Sequence, residues 1–296
     1  MNSGNAQDNT RADMLVKPAW VQEHLDDPSV RILECTTYLE PQPVGPSKVR
    51  SGRPDYMAGH IPNAAHVCMV DDLSDPDGEF PYTMPGAGQV ERLMSRLGIG
   101  NEHHVVLYAR GYPHAATRVW YVLRTHGHRR LSIMDGGFER WQREGRPVSR
   151  EVPAFPVTRY CSAFDARKVA GRDEVQRWAG GEAGGVLVNA LSRAQYSGTG
   201  GAHYGRPGRI ANSSSCPSSE LIEREANCYV DDATLRRKLA EAGVTADRRV
   251  VAYCGGGIAA CGVAFALDLA GHPDWAVYDN SLLEWSNVPD LPMETG

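Results

Sequence analysis

The chain has 296 residues, enough for about two domains of ordinary size. Its 42% apolar and 23% charged residues are those expected of a soluble globular protein. A net charge of −5 gives no footprint for nucleic acid or an anionic membrane surface, and no apolar run approaches the roughly 18–20 residues of a membrane span.

Met1 to Leu15 is polar and lacks a signal-peptide core, so a cytoplasmic protein is expected. Pro18 to Leu25 reads as a short helix and Val30 to Cys35 as the first strand. Glu40 to Arg53 reads as a Pro/Gly-rich basic loop. Tyr56 to Ala64 forms a turn into a short strand at Ala65–Val67. The acidic stretch Asp71 to Gly88 is punctuated as a loop. An amphipathic helix follows over Gln89–Leu97, then a strand at Val105–Tyr108, a helix at Ala115–Thr125, a strand at Leu131–Met134 and a helix at Gly137–Glu144. Strands alternating with helices predict an α/β fold, a parallel sheet covered on both faces. Ser149 to Cys161, with Pro153 and Pro156 and no periodicity, reads as a linker.

The second half repeats the first. Tyr108, Gly127-His128, Asp135 and Trp141 have counterparts in Tyr253, Gly271-His272, Asp279 and Trp285, each one residue closer to its tyrosine. Gly59-His60-Ile61 corresponds to Gly208-Arg209-Ile210. We read an internal duplication of one α/β domain, with domains expected over 14–149 and 161–294.

The halves differ where the chemistry is expected. After Tyr108 comes Ala109-Arg110-Gly111, without a cysteine. After Tyr253 comes Cys254-Gly255-Gly256-Gly257-Ile258-Ala259-Ala260. A short apolar strand, a Gly-rich loop and an Ala/Leu-rich helix place backbone N–H groups around a small space at a helix N-terminus. Those N–H groups and the helix dipole favour a thiolate, so Cys254 is the expected nucleophile. Seven cysteines, an odd number with no Cys-x-x-Cys pair, leave zinc-site spacing absent and fit free thiols in a reducing compartment. Cys261, on the following helix, reads as a core residue, with a resolving role toward Cys254 as the alternative.

These motifs together resemble the tandem-domain rhodanese family of thiosulfate and 3-mercaptopyruvate sulfurtransferases. The resemblance runs from about Val16 to Pro292. It rests on Gly59-His60-Ile61-Pro62, Arg118-Val119-Trp120, Asp135-Gly136-Gly137-Phe138 with Trp141, Arg206-Pro207-Gly208, the Cys254 loop, and Tyr278-Asp279-Asn280-Ser281 with Glu284-Trp285. It implies two tandem rhodanese-like domains, the first without a catalytic cysteine. It also implies a Cys254 persulfide as covalent intermediate, a small anionic sulfur donor, and a thiol, cyanide or protein as acceptor. Neither metal nor organic cofactor is implied.

Gly255, Gly256, Gly257, Ile258 and Ala259 are the expected substrate-contacting loop, joined by His60, Arg206 and Arg209. For His60 a turn-stabilising role stands beside substrate contact; for the arginines, and for Arg193, ordinary ion pairing does. The loop departs from the family: Gly255 and Gly256 bring neither the cation of the thiosulfate type nor the serine of the mercaptopyruvate type, and Ala259 replaces a threonine. Gln195, Asn189, Leu191, Arg209 and Ala211 depart from family residues in the second half, and Glu34 replaces an Asp in the first.

Two other chemistries fit poorly. A phosphatase needs Cys-x5-Arg to clamp the oxyanion, but the sixth position after Cys254 is Ala260. Gly255-x-Gly257-x-x-Ala260 matches a relaxed dinucleotide fingerprint, yet too little chain follows to build a nucleotide domain. A degenerate member serving as sulfur carrier or binding module is the alternative of a different class.

Overall fold

The computed structural model describes residues 10–296. The part of the polar N-terminal stretch before Thr10 lies outside the described residues. Two five-stranded sheets dominate, and every strand pair within them is parallel. In the first half the strands are β1 (Leu15–Val16), β2 (Val30–Glu34), β3 (Ala64–His66), β4 (His104–Tyr108) and β5 (Leu131–Met134), in spatial order β1-β5-β4-β2-β3. In the second half they are β6 (Val169–Ala170), β7 (Gly185–Asn189), β8 (Ser214–Ser215), β9 (Arg249–Tyr253) and β10 (Trp275–Tyr278), in order β6-β10-β9-β7-β8. The two orders are the same topology traced twice.

The duplication extends to single hydrogen bonds. The Tyr108 hydroxyl accepts from Ile61 N at 3.1 Å, and the Tyr253 hydroxyl accepts from Ile210 N at 3.0 Å. Trp141 Nε1 donates to Pro147 O at 2.8 Å, and Trp285 Nε1 to Pro292 O at 3.1 Å. Each tyrosine is fully buried at the end of a central strand, so its hydroxyl must find a polar partner inside the protein.

Helix α1 (His114–Thr125) follows β4, and helix α2 (Ile258–Leu269) follows β9. They pack on each other, joining the halves, with Trp120 edge-on to Phe265 at 5.0 Å. Helix α2 is apolar on nearly every side because it lies between its own sheet and α1. One apolar cluster therefore runs through both halves. The connecting stretch 150–165 carries no helix or strand, and it lies along the first half through Thr158 N to Ser95 O and Cys161 N to Asn101 Oδ1.

The expected loop Glu40–Arg53 is in part a β-ribbon: Thr37–Glu40 pairs antiparallel with Lys48–Ser51. The four residues Lys48-Val-Arg-Ser alternate too briefly to read as a strand; the pairing partner supplies what the local pattern lacks. Among the described residues no helix is long and apolar enough to cross a membrane.

Candidate active site

Cys254 sits immediately after β9, the central strand of its sheet, at the carboxyl end where open parallel sheets bind ligands. Its N–H donates to Ser281 Oγ at 3.0 Å, and Ser281 Oγ donates to Tyr278 O at 2.7 Å. Ser281 holds φ +50°, a left-handed backbone rare outside glycine. The matching turn of the first half has Gly137 at φ +61°. The second half thus keeps a strained serine where the first has glycine, and the serine's hydroxyl ties β10 to the cysteine's amide. Sequence reading missed Ser281; its signal was the serine standing in a repeat position that the other half fills with glycine.

The loop glycines each answer to a neighbour. A Cβ built on Gly255 would fall within the ring of Tyr204, and one on Gly256 would meet Leu283 Cδ1 at 2.8 Å. Gly257 has φ +82° and caps α2; a Cβ there would meet Asp279 Oδ1 at 2.8 Å. No backbone acceptor takes the N–H groups of Gly255, Gly256 or Gly257 among the described residues, and the first N–H groups of α2 have no partner within the helix. The anchoring bonds run the other way: Leu282 N donates to Cys254 O at 3.2 Å and Leu283 N to Gly255 O at 2.8 Å.

Cys254 is only 2% exposed, but it lines a cavity of about 240 Å³. Gly255, Gly256, Ile258 and Ala259 lie on the cavity wall with Tyr204, Leu191 and Leu283. The first half closes the other side with Leu39, Pro41, Pro46, Ser47, Tyr82 and His114. Burial raises the Tyr82 and Tyr204 phenols, and the charge of Cys254 raises them further; both stay protonated beside the sulfur. Burial pushes the His114 imidazole down to about 4. Among the described residues no Lys, Arg, Asp or Glu lines this cavity.

Three expected substrate-contacting residues lie elsewhere. His60 is fully buried, stacked on Tyr56 at 3.9 Å, and both ring nitrogens are engaged: Nδ1 with Tyr56 O at 2.8 Å and Nε2 with Glu151 O at 3.0 Å. Arg206 spends its guanidinium on the carbonyls of Ser286, Val288 and Leu291. Arg209 pairs with Glu294 at 3.1 Å, lies over the Tyr196 ring and donates to Gly296 O. Each of the three fastens chain segments to one another, and none lines the cavity. Arg193 is held by Glu220 at 2.8 Å. Gly257 positions the loop from behind rather than lining the cavity. Cys261 is buried in α2 and donates its S–H to Gly257 O at 2.9 Å; burial pushes its thiol up to about 12.

Arg118 reaches across the domain boundary. Fully buried on α1, it pairs with Asp279 through both carboxylate oxygens and donates to Tyr82 O. Its Nη1 lies 3.8 Å from Cys261 Sγ. One guanidinium therefore fixes the acid beside Gly257 and the backbone of the tyrosine that faces Cys254. Tyr82 itself sits at φ +69°, a conformation that the surroundings must hold in place.

The model of the rhodanese-like domain matches residues 17–144 and 178–288. The chain is 28% identical to 3-mercaptopyruvate sulfurtransferase of Escherichia coli (strain K12), over 93% of this chain and 95% of that protein. It is 30% identical to the sulfur carrier protein TtuD of Thermus thermophilus, over 96% of this chain and 97% of that one. The crystal structure of SseA from Escherichia coli, a 3-mercaptopyruvate sulfotransferase with the rhodanese fold, superposes with a TM-score of 0.79 at 25% identity, covering 90% of this chain and 98% of that one.

Proposed function

The chain belongs to the rhodanese-like family, matched in both halves, and from that premise we propose that it moves a sulfane sulfur through a persulfide on Cys254. The observation that carries this is the position of the cysteine: the end of the central strand, on the wall of an interdomain cavity, followed by three glycines whose N–H groups have no backbone acceptor. The thiolate attacks the outer sulfur of the donor, the bond between that sulfur and the rest of the donor breaks, and the sulfur stays on Cys254. A thiol, cyanide or a protein thiol then takes it. Loop N–H groups supply hydrogen bonds to the sulfur anion, and the protonated phenols of Tyr82 and Tyr204 border the same cavity.

Of the anionic donors, 3-mercaptopyruvate suits the cavity better than thiosulfate. Thiosulfate carries two charges and releases a dianion, and among the described residues no cationic side chain lines the wall. The seven free thiols fit work in a reducing compartment such as the cytoplasm.

Cys254→Ser abolishes turnover and leaves the unfolding midpoint near that of the parent. Intact mass after incubation with 3-mercaptopyruvate shows one added sulfur in the parent and none in the variant. Retained turnover in the variant would refute the assignment. A second reading, sulfur carriage with little turnover on free acceptors, is favoured by the likeness to a sulfur carrier protein. The two separate in one assay: a carrier's persulfide resists cyanide and discharges only to a protein thiol.

A further inference from the structure

Sulfur abstraction from 3-mercaptopyruvate releases a carbon leaving group. The Cys254 thiolate bonds to the donor sulfur, the carbon–sulfur bond breaks, and its electron pair passes into the keto group as an enolate. The sulfur keeps its proton, giving Cys–S–SH, and the enolate carbon takes one proton from water to become pyruvate. Negative charge therefore develops on the ketone oxygen, which needs a hydrogen-bond donor of its own.

The cavity offers few such donors. The Tyr82 hydroxyl is turned to Ser47 O at 3.5 Å. The His114 ring lies against Tyr112 at 4.1 Å between centroids, and Tyr112 is itself anchored by its hydroxyl to Ser218 O at 2.7 Å. Among the described residues no hydrogen bond or ion pair holds the imidazole, and burial pushes it down. His114 is thus a supported ring that borders the cavity with its polar atoms unspent.

We propose that His114, contributed by the half that lacks the cysteine, is a catalytic residue that donates a neutral ring N–H to the developing enolate oxygen of the departing keto acid. This rests on the sulfurtransferase reading above. Tyr112, before α1, packs on the ring, and the titratable groups that share the cavity wall with it are Tyr82 from the first half and Tyr204 and Cys254 from the second. None is a carboxylate that would hold a proton on the imidazole, and the positive end of α1 also disfavours a charged ring. The imidazole is neutral at neutral pH, so it keeps an N–H to donate without importing a cation.

The test separates the two half-reactions by single-turnover kinetics on His114→Phe and His114→Gln. Loading of Cys254 from 3-mercaptopyruvate forms an enolate; discharge of the loaded persulfide to cyanide does not. His114→Phe is expected to slow loading about a hundredfold and leave discharge within about twofold. His114→Gln, which keeps an N–H, recovers about tenfold of that loss. Wild-type loading shows no ionisation near the ordinary histidine value of about 6.5. Equal slowing of both steps, unchanged loading in the Phe variant, or a wild-type inflection near that pH that the Gln variant lacks would each overturn the proposal. Failure of the wild type to gain sulfur from any donor would instead overturn the sulfurtransferase reading itself.

Discussion

At Gly255 the missing side chain is explained by the ring of Tyr204, which fills the place where a Cβ would go. The two residues form one packing unit on the cavity wall, so the absence of a cation at this position goes together with a tyrosine at 204. Gly255→Ala is expected to cost about 1–3 kcal/mol in urea unfolding, the usual range for forcing extra volume into a packed site. In a Tyr204→Ala background the same substitution should cost at least about 1 kcal/mol less, the coupling expected of residues in contact. Additive costs would show that something other than the ring excludes the side chain. The same scale separates the two roles that the sequence leaves open for His60, Arg206 and Arg209, and the structural one holds for each. Their types suit an anionic donor, but residue type does not say where N–H groups are spent. In Arg206 they are spent on the carbonyls of the segment after Trp285.

Elements that depend on local pattern were legible. The apolar run before Cys254 is β9, the Ala/Leu run after it is α2, and the Tyr-Gly-His-Asp-Trp spacing is the duplication itself. His114 and Tyr82 were not legible as site residues, because they reach the cavity only through the docking of one half on the other; Tyr204 was not, because only the fold of the second half lays its ring on Gly255. That docking is centred on α1 and α2, and the most deeply buried of the ion pairs across it is Arg118 with Asp279. Breaking a buried pair leaves one charge without a partner. Arg118→Met alone is therefore expected to destabilise by about 3–5 kcal/mol. Arg118→Met combined with Asp279→Leu should recover most of that loss, because no lone charge remains. Sulfur loading in the double variant should still be slowed, since the carbonyl of Tyr82 has lost its donor. Denaturant unfolding of the three variants beside single-turnover loading checks both halves of this expectation. A double variant as unstable as the single one would mean that packing, not charge, is what Arg118 supplies.

Across the whole molecule, the first half lacks the nucleophile but keeps the structural demands of the fold, and it carries a set of buried and half-buried imidazoles that makes stability depend on pH. Burial pushes His104, His114 and His128 down to about 4. His128 is fully buried, with Nε2 against His103 O at 3.0 Å; His103 and His104 are the charges acting on it, and both oppose its protonation. His104 is bonded to Ser132 Oγ at 2.6 Å and faces Arg130, His24, Asp13 and Asp27. In the unfolded chain these rings take a proton near 6.5, while in the folded protein they do so only near 4. Between those values the unfolded state binds more protons, so stability rises with pH through the window and is lost as pH falls through it. The urea midpoint should be level above about pH 7 and should drop steadily below about pH 6.5. For His128 alone the slope is at most about 1.4 kcal/mol per pH unit. His128→Gln, which keeps a donor for the His103 carbonyl, should flatten the acid limb of the midpoint curve. If the curve of this variant overlays that of the parent, His128 is not among the groups that set the acid limit of this fold.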